Sequence, residues 1–275
     1  MKIKNSTAIA IGGFDGMHIG HQELFKQLGK DGVIVAIETG YANLTPEGYR
    51  KDYTHYPIVH LKLDDIRHLD GKEFIKFLKN KFVKLKKIVV GYDFHFGKDR
   101  KYSFDDLKKL FDGEVVVVDE VQHNGDSVHS HKIRKKLQIG DIEGANAFLG
   151  HNYTIKGLIE KGQGIGAKEL VATINIKAEG FLIPKEGVYT SLTRIDDEEH
   201  FHPSVSFVGH RVTTDGSFAI ESHILDGSVV CKKSATISFI SFIRNNKKFA
   251  TIQELKKAIK KDINIAKRKL NFLEL

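Results

Sequence analysis

Two histidines, His18 and His21, stand at the end of the glycine-containing stretch Gly13–His21, directly ahead of a helix-like segment. Backbone amides at a helix N-terminus attract phosphate, and histidines can donate hydrogen bonds to phosphate oxygens and stabilise charge that builds up during group transfer. Such chemistry needs no covalent intermediate. Alternatively, the glycines only form a turn and the histidines cap the helix. The stretch therefore predicts a nucleotide site, with a simple helix start as the competing interpretation.

The elements that must position these histidines belong to an α/β pattern. Short apolar, mostly β-branched runs lie at 8–11, 33–37, 87–90 and 114–118, and helix-like segments separate the later ones. This alternation predicts a doubly wound, mostly parallel sheet. A helical periodicity from Ile133 to Leu149 stops at Gly150, so we expect the first domain to cover 1–150.

From Tyr153 the chain changes to short strand-like pieces with frequent glycines, at 154–159, 172–176, 188–192, 218–225 and 235–242. This pattern of short strands and glycines predicts a small antiparallel β-barrel over 151–275. Thr251 followed by Glu254 is a helix-capping pattern, and it predicts a C-terminal amphipathic helix to about Leu270. The expected fold class is therefore α/β plus β.

Composition narrows the class of protein. A chain of 275 residues fits two ordinary domains. The net charge of +8 is spread over helix-like stretches, so we expect solvated helix faces that favour small phosphate-bearing molecules rather than nucleic acid. Cys231 is the single cysteine, no apolar run suggests a membrane span, and the N-terminus leaves no room for a signal peptide. These features predict a cytoplasmic location, and they leave the oligomeric state open.

The extended form GxFDGxHxGH at the first turn, together with Val89–Lys98, resembles the bacterial bifunctional riboflavin kinase and FAD synthetase family. The resemblance implies that the first domain adenylylates FMN, with His18 and His21 as catalytic contacts to the ATP phosphates. It further implies ATP contacts at Gly13, Phe14 and Asp15, and flavin contacts at Asp93, Phe94 and Phe96. Taken without the family, Phe94 and Phe96 could equally be core residues.

Two segments of the first half depart from the family pattern. The phosphate-binding motif SSTRIR is here His129–Arg134, in which His131 replaces the threonine and Lys132 the first arginine. Ser130, Lys132 and Arg134 remain chemically able to bind ATP phosphate, although an exposed basic turn is the alternative. Where the family has a proline and histidine pair, this chain has Glu38–Asn43. No catalytic residue is assigned there, and Asn43 is a possible nucleotide contact.

The second domain resembles riboflavin kinase from Tyr153 onward. Its central motif, usually GRxLGFPTAN, appears as Gly166–Asn175 without the arginine, the second glycine and the proline. The resemblance implies that Thr173 and Asn175 hold Mg²⁺ and ATP phosphate and that Glu221 is the general base. The glycines from Gly162 to Gly166 would form a loop near the ATP. From the residues alone, these polar groups could instead line the wet face of a barrel.

The family implies a two-step enzyme with ATP as co-substrate and Mg²⁺ in both steps. The barrel phosphorylates riboflavin to FMN, and the N-terminal domain adenylylates FMN to FAD with release of pyrophosphate. Two alternatives stay open. One is an adenylyltransferase whose barrel only binds flavin, and the other is a flavin-sensing regulator without turnover.

Overall fold

A computed structural model describes residues 3–160, 172–196, 198–213, 215–226 and 233–271. By packing, the chain divides into two compact units, residues 1–130 and 131–275. Within the described ranges, no helix is long and apolar enough to cross a membrane.

The first unit is built on a parallel sheet. Its strands are β1 Ala8–Gly12, β2 Gly32–Glu38, β3 Ile58–Lys62, β4 Lys87–Gly91, β5 His95–Phe96, β6 Tyr102–Ser103, β7 Glu114–Val118, β8 Gln122–His123 and β9 Asp126–Ser127. Five of them form one sheet in the order β3-β2-β1-β4-β7 with every pairing parallel, while β5–β6 and β8–β9 are small antiparallel pairs. The predicted doubly wound sheet is confirmed.

Strand β3 is the sheet strand that the sequence pattern missed. It lies at the edge of the sheet, and Leu61 is its one buried residue. An edge strand with so little buried surface carries no continuous apolar run, whereas β1 and the first five residues of β2 are buried and read as strands directly.

The first unit contains four α-helices, and a side chain caps the N-terminus of the two that begin at Ile19 and Gly71. They are α1 Ile19–Lys26, α2 Leu63–Ile66, α3 Gly71–Lys81 and α4 Phe104–Leu110, with short 3₁₀ turns at Ile3–Asn5, Glu47–Tyr53 and Lys98–Arg100. Asp70 and Glu73 form a capping box at the start of α3. The apolar side of α3, with Phe74, Ile75 and Leu78, packs into the core on one face of the sheet.

The second unit is a closed six-stranded barrel with helices around it. Its elements are α5 Ser130–Ile139, α6 Ile142–Leu149, β10 Tyr153–Glu160, β11 Ile174–Lys177, β12 Gly187–Ile195, β13 His202–His210, β14 Phe218–Ile224, β15 Ser234–Asn245 and α7 Ile252–Asn271. The strand order around the barrel is β10-β11-β14-β13-β12-β15. The predicted barrel and C-terminal helix are confirmed, and Thr251 Oγ1 accepts from Glu254 N at 3.2 Å as the capping pattern predicted.

Helix α6 packs on the barrel, where Asn146 Nδ2 donates to the carbonyl oxygen of Phe239 at 2.9 Å. Grouping by packing therefore assigns α6 to the second unit, whereas the sequence pattern predicts a domain boundary at 150. Helix α6 ends as expected, because Gly150 takes the left-handed conformation that glycine accepts most readily.

Strand β13 escaped the sequence pattern because its alternation is inverted. Ser204 and Ser206 are fully buried, while Val205 and Phe207, which alternate with them, are half-buried. The inward hydroxyls bond one another, with Ser191 Oγ 2.8 Å from Ser204 Oγ and 2.7 Å from Ser206 Oγ. Buried serines that satisfy each other give a polar barrel interior that hydrophobicity alone does not indicate.

Candidate active sites

The first site lies where the strand order of the parallel sheet reverses. Strands β1 and β4 are parallel neighbours, with β2 and β3 extending the sheet to one side and β7 to the other. In open α/β sheets, ligands bind beyond the carboxyl ends of the strands at this switch point. The segments that follow β1 and β4, Gly13–His18 and Tyr92–Phe96, are therefore brought to one edge.

The turn after β1 has an unusual backbone. Phe14, Gly16 and Met17 have φ values of 49°, 87° and 46°, so two non-glycine residues occupy the left-handed region. Each such residue costs about 1–3 kcal/mol and typically occurs where the surrounding structure imposes it, often at functional sites. The Phe14 ring is buried against Phe25, with ring centroids 5.1 Å apart. Gly13 faces open space, since a Cβ there would meet nothing within 4 Å.

His18 and His21 form a stacked pair at the start of α1. Their ring centroids are 3.5 Å apart with an interplanar angle of 19°. His18 is the N-cap, and its Nδ1 accepts a hydrogen bond from His21 N at 3.3 Å. A neutral His18 therefore carries its proton on Nε2, where it can be donated to an anion. Gly20 leaves room for this ring, because a Cβ there would lie 3.1 Å from His18 Cε1.

The second histidine of the pair is held neutral. Burial, followed by the positive charges of His18, Arg50 and His129, lowers the pKa of His21 well below its ordinary value of 6.5. In the described part of the chain, the buried Nδ1 of His21 has no hydrogen-bond partner. A neutral imidazole still carries one N–H group, so beside a helix N-terminus it can donate a hydrogen bond to a phosphate.

Asp15 anchors the loop that follows β2. Its carboxylate accepts backbone N–H groups from Leu44 at 3.0 Å, from Thr45 at 3.0 Å and from Asn43 at 3.3 Å. Ser130 Oγ, at the start of α5, donates to the carbonyl oxygen of Asp15 at 2.8 Å. The structure thus gives Asp15 and Ser130 positions that hold the turn together, and their ATP contacts stay predictions.

An ion pair that the sequence did not indicate lies in the segment departing from the family. Arg50 is fully buried and bonds both carboxylate oxygens of Glu38, with Nη2 3.0 Å from Oε2. Its Nε donates to the Thr45 carbonyl at 3.2 Å, and His60 Nδ1 lies 2.8 Å from Glu38 Oε1. An acidic residue ending a buried strand signals the need for a cation, but not which of 43 lysines and arginines supplies it.

The residues predicted on the flavin side divide into two kinds. Phe94 and Phe96 are buried in the core, with rings stacked at 5.7 Å and 15°, and Phe96 also contacts Phe74. Asp93 is exposed. The core position of both rings is observed, while a flavin contact stays a prediction for all three.

A second cluster that the sequence did not indicate, formed by Tyr92, Glu120 and His129, lies next to Asp93. Tyr92 Oη donates to Glu120 Oε1 at 2.9 Å and lies 3.3 Å from His129 Nε2. Burial, then the hydrogen bond to Glu120, raises the pKa of Tyr92 to about 12. His129 replaces the first serine of the family's phosphate motif. Lys132 and Arg134 of that motif lie half-buried in α5, and their phosphate contacts stay predictions.

The second site lies on the barrel, where Asn175 of β11 and Glu221 of β14 are directly paired across antiparallel strands. Paired residues present their side chains on the same face, so the predicted metal ligand and the predicted base are neighbours. Thr173 is half-buried and immediately precedes β11. The strand begins at Ile174, two residues after its predicted start at 172. The rest of the altered motif, 166–171, and the 162–166 loop lie outside the described residues, as does Cys231.

Comparison with known proteins identifies the family. A family model described as FAD synthetase matches residues 1–37 and 60–132, and one described as riboflavin kinase matches 149–270. A bifunctional riboflavin kinase/FMN adenylyltransferase of Listeria monocytogenes is 30% identical over 94% of this chain and 90% of the relative. The chain belongs to this family. A Bacillus subtilis relative of the same name is 27% identical over 93% of the chain and 90% of its own length.

Among solved structures, a Streptococcus pneumoniae protein titled as a macrolide-efflux protein matches with a TM-score of 0.85 and 24% identity. It covers 97% of this chain and 97% of its own. A likeness at this identity establishes the shared fold alone.

The FAD synthetase model matches two segments of the first unit and leaves a gap between them. The FAD synthetase match omits residues 38–59, which carry Glu38, the backbone amides bound by Asp15, and Arg50. Glu38, Arg50 and the amides that Asp15 binds therefore lie outside the FAD synthetase match, whereas Asp15 itself lies within it.

Proposed function

We propose that this chain phosphorylates riboflavin to FMN at the barrel and adenylylates FMN to FAD at the parallel sheet, using ATP in both steps. The observation that carries the proposal is the pairing of Asn175 with Glu221. They come from separate parts of the sequence, and the barrel makes them neighbours even though the motif around Asn175 departs from the family. The stacked histidines supply the corresponding support for adenylylation.

In the adenylylation step, an FMN phosphate oxygen attacks the α-phosphorus of ATP. A new P–O bond forms, the bond to the bridging oxygen breaks, and pyrophosphate leaves with the electron pair. His18 and His21 donate hydrogen bonds to phosphate oxygens, and the N-terminus of α1 adds the positive end of its dipole. Gly13 allows the nucleotide to approach the backbone, beside Phe14 and Asp15. Ser130, Lys132 and Arg134 bind phosphate, and Asp93, Phe94 and Phe96 border the flavin.

In the kinase step, the terminal ribityl hydroxyl of riboflavin attacks the γ-phosphorus of ATP. The P–O bond to the β-phosphate breaks, ADP leaves with the electron pair, and the hydroxyl proton passes to Glu221. Glu221 suits this task because 21% of its side chain is exposed, which leaves the carboxylate accessible to a substrate.

The donor set at the kinase site fits Mg²⁺. Thr173 offers a hydroxyl and Asn175 an amide oxygen, which are oxygen ligands of the kind that Mg²⁺ prefers, and the Asn175 oxygen accepts a hydrogen bond from Arg211 in this structure. These two residues would hold the ion. In either reaction, an Mg²⁺ ion bound with ATP would neutralise phosphate charge. A cytoplasmic location, small-molecule substrates and the absence of a nucleic-acid partner remain part of this proposal.

Two variants test the assignment of each reaction to its unit. Glu221→Gln is expected to lower FMN formation by about 100-fold or more, the usual contribution of a general base, and to leave FAD formation from FMN unchanged. His21→Ala is expected to lower FAD formation by about 100-fold and to leave FMN formation unchanged. Chromatography of the flavins formed with ATP and Mg²⁺ measures both rates.

The outcomes distinguish the alternatives. Crossed effects, with Glu221→Gln affecting FAD formation, would refute the assignment of the reactions. FAD from FMN without FMN from riboflavin would support an adenylyltransferase with a flavin-binding barrel. Binding of FMN without either product would support the flavin-sensing regulator.

A further inference from the structure

Arg211 connects the two groups of the kinase site. Its Nη2 donates to Asn175 Oδ1 and to Glu221 Oε1, both at 2.6 Å, and its Nε donates to the same Glu221 oxygen at 2.8 Å. It lies just after β13, outside every motif that the sequence singled out. One guanidinium therefore bridges the predicted base and the predicted metal ligand.

The turn between β13 and β14 holds Arg211 in this position. The Arg211 N–H donates to the carbonyl of Ser217 at 2.9 Å, and Gly216 N donates to the Arg211 carbonyl at 3.1 Å. At the other end of the side chain, Nη1 donates to Ser217 Oγ at 2.8 Å. Asp215 in turn accepts hydrogen bonds from Ser217 N and Oγ. Backbone and side chain are both fixed, so the guanidinium is preorganised.

The bonds from Arg211 leave one carboxylate oxygen of Glu221 available. Both of its donors point at Oε1, and within the described residues Oε2 accepts no hydrogen bond. Arginine stays charged at any physiological pH and cannot accept a proton itself. It can therefore fix the orientation of the carboxylate without competing for the substrate proton.

We propose that Arg211 is a positioning residue of the kinase reaction, which turns Glu221 so that Oε2 receives the ribityl hydroxyl proton and keeps the base aligned with Asn175. This inference rests on the proposed kinase activity. It differs from a simple exposed ion pair, because the Arg211 side chain is only 20% exposed and its contacts converge on the two groups that must act together.

Three variants test the proposal in the full chain. Arg211→Gln removes the charge and the forked donor geometry, Arg211→Lys keeps the charge at a single point, and Arg268→Gln is the matched control. Arg268 is exposed on α7, and its Nε donates to the carbonyl of Asn264. The rates of FMN formation from riboflavin and of FAD formation from FMN are measured for each, with the Mg²⁺ dependence of the first.

For Arg211→Gln, kcat for FMN formation is expected to fall by about 10- to 100-fold, the usual effect of a misplaced catalytic group, while KM for riboflavin changes by less than about threefold. Arg211→Lys should recover part of this loss. FAD formation should stay at the wild-type rate in all three variants, and an unchanged thermal unfolding profile reports that the barrel stays folded. Arg268→Gln should match the wild type in both reactions.

Several results would overturn the proposal. FMN formation by Arg211→Gln at the wild-type rate would show that the contacts are only a surface ion pair. A faster rate or a lower Mg²⁺ requirement would show that Arg211 obstructs the metal position at Asn175 rather than orienting the base. Loss of FMN formation in Arg211→Lys and Arg211→Gln alike, with thermal unfolding at a lower temperature in both, would indicate a folding role. If the wild-type chain makes no FMN, the proposed kinase function fails, and this inference fails with it.

Discussion

Removal of Arg50 tests the buried ion pair between Arg50 and Glu38. Arg50→Met deletes a fully buried guanidinium whose Nη2 lies 3.0 Å from Glu38 Oε2 and whose Nε lies 3.2 Å from the Thr45 carbonyl. Among the described residues, Glu38, with 14% of its side chain exposed, then keeps only His60 as a partner. A charge left in this position is poorly solvated, so we expect a large loss of stability.

The magnitude follows from the burial of the pair. Removing one partner of a buried ion pair costs about 3–5 kcal/mol. Because His60 still contacts Glu38, we expect the lower end, about 3 kcal/mol. For a unit of this size each kcal/mol shifts the unfolding midpoint by about 3 °C, so Tm of the first unit should fall by roughly 10 °C.

Thermal unfolding of four proteins provides the assay. The set is the wild type, Arg50→Met, the double variant Glu38→Leu/Arg50→Met, and Arg67→Met as control, since Arg67 forms an exposed pair with Asp64. The control should unfold like the wild type, and the double variant should recover part of the loss because no unpaired buried charge remains. Equal Tm values for Arg50→Met and Arg67→Met would show that the buried pair does not stabilise the first unit, and a double variant with a lower Tm than Arg50→Met would show that the unpaired Glu38 charge is not the cause of the loss.

Three further predictions concern the first turn. Because the folded-state pKa of His21 lies below 6.5, the unfolded chain binds the extra proton between the two values. Stability should therefore fall as pH drops below about 6.5, by up to about 1.4 kcal/mol per pH unit from this group. His21→Gln should show a smaller drop in Tm between pH 7.5 and 5.5, and an unchanged drop would contradict the shift. Gly20→Ala, whose Cβ would meet the His18 ring at 3.1 Å, should slow FAD formation by about 10-fold or more without slowing FMN formation. Gly48→Ala, which has open space, serves as its control. Asp15→Ala leaves backbone amides without an acceptor and should cost about 3 kcal/mol in urea unfolding, at about 1–3 kcal/mol for each buried donor. A loss no larger than that of an exposed aspartate would show that these bonds do not stabilise the loop.

The sequence predicted those elements that have a continuous apolar run or a capping pattern of their own. Strands β1 and β2 are continuous apolar runs because the sheet has helices and loops on both sides, and α7 carries its own capping signal. Strand β3 has one buried residue at an edge, and β13 turns its serines inward, so neither has the apolar pattern of its class. These two strands were missed because the hydrophobicity of their residues does not indicate which of them are buried.

Sequence motifs name the proposed catalytic groups, but they do not name the residues that contact those groups in the folded chain. His18, His21 and Glu221 belong to motifs whose spacing is local. Arg50 bonds Glu38, which lies 12 positions away in the sequence. Arg211 bonds Asn175 and Glu221, which lie 36 and 10 positions away. Only the folded chain brings these residues together. A single sequence with 43 lysines and arginines holds no signal that selects these two.

The most direct test of a two-step enzyme is a time course of the purified chain with riboflavin, ATP and Mg²⁺, followed by chromatography of the flavins. Riboflavin should be consumed, FMN should rise first, and FAD should then form from it in the same reaction. Riboflavin that stays unchanged, or FMN that accumulates without FAD, would show that the chain does not carry out both steps.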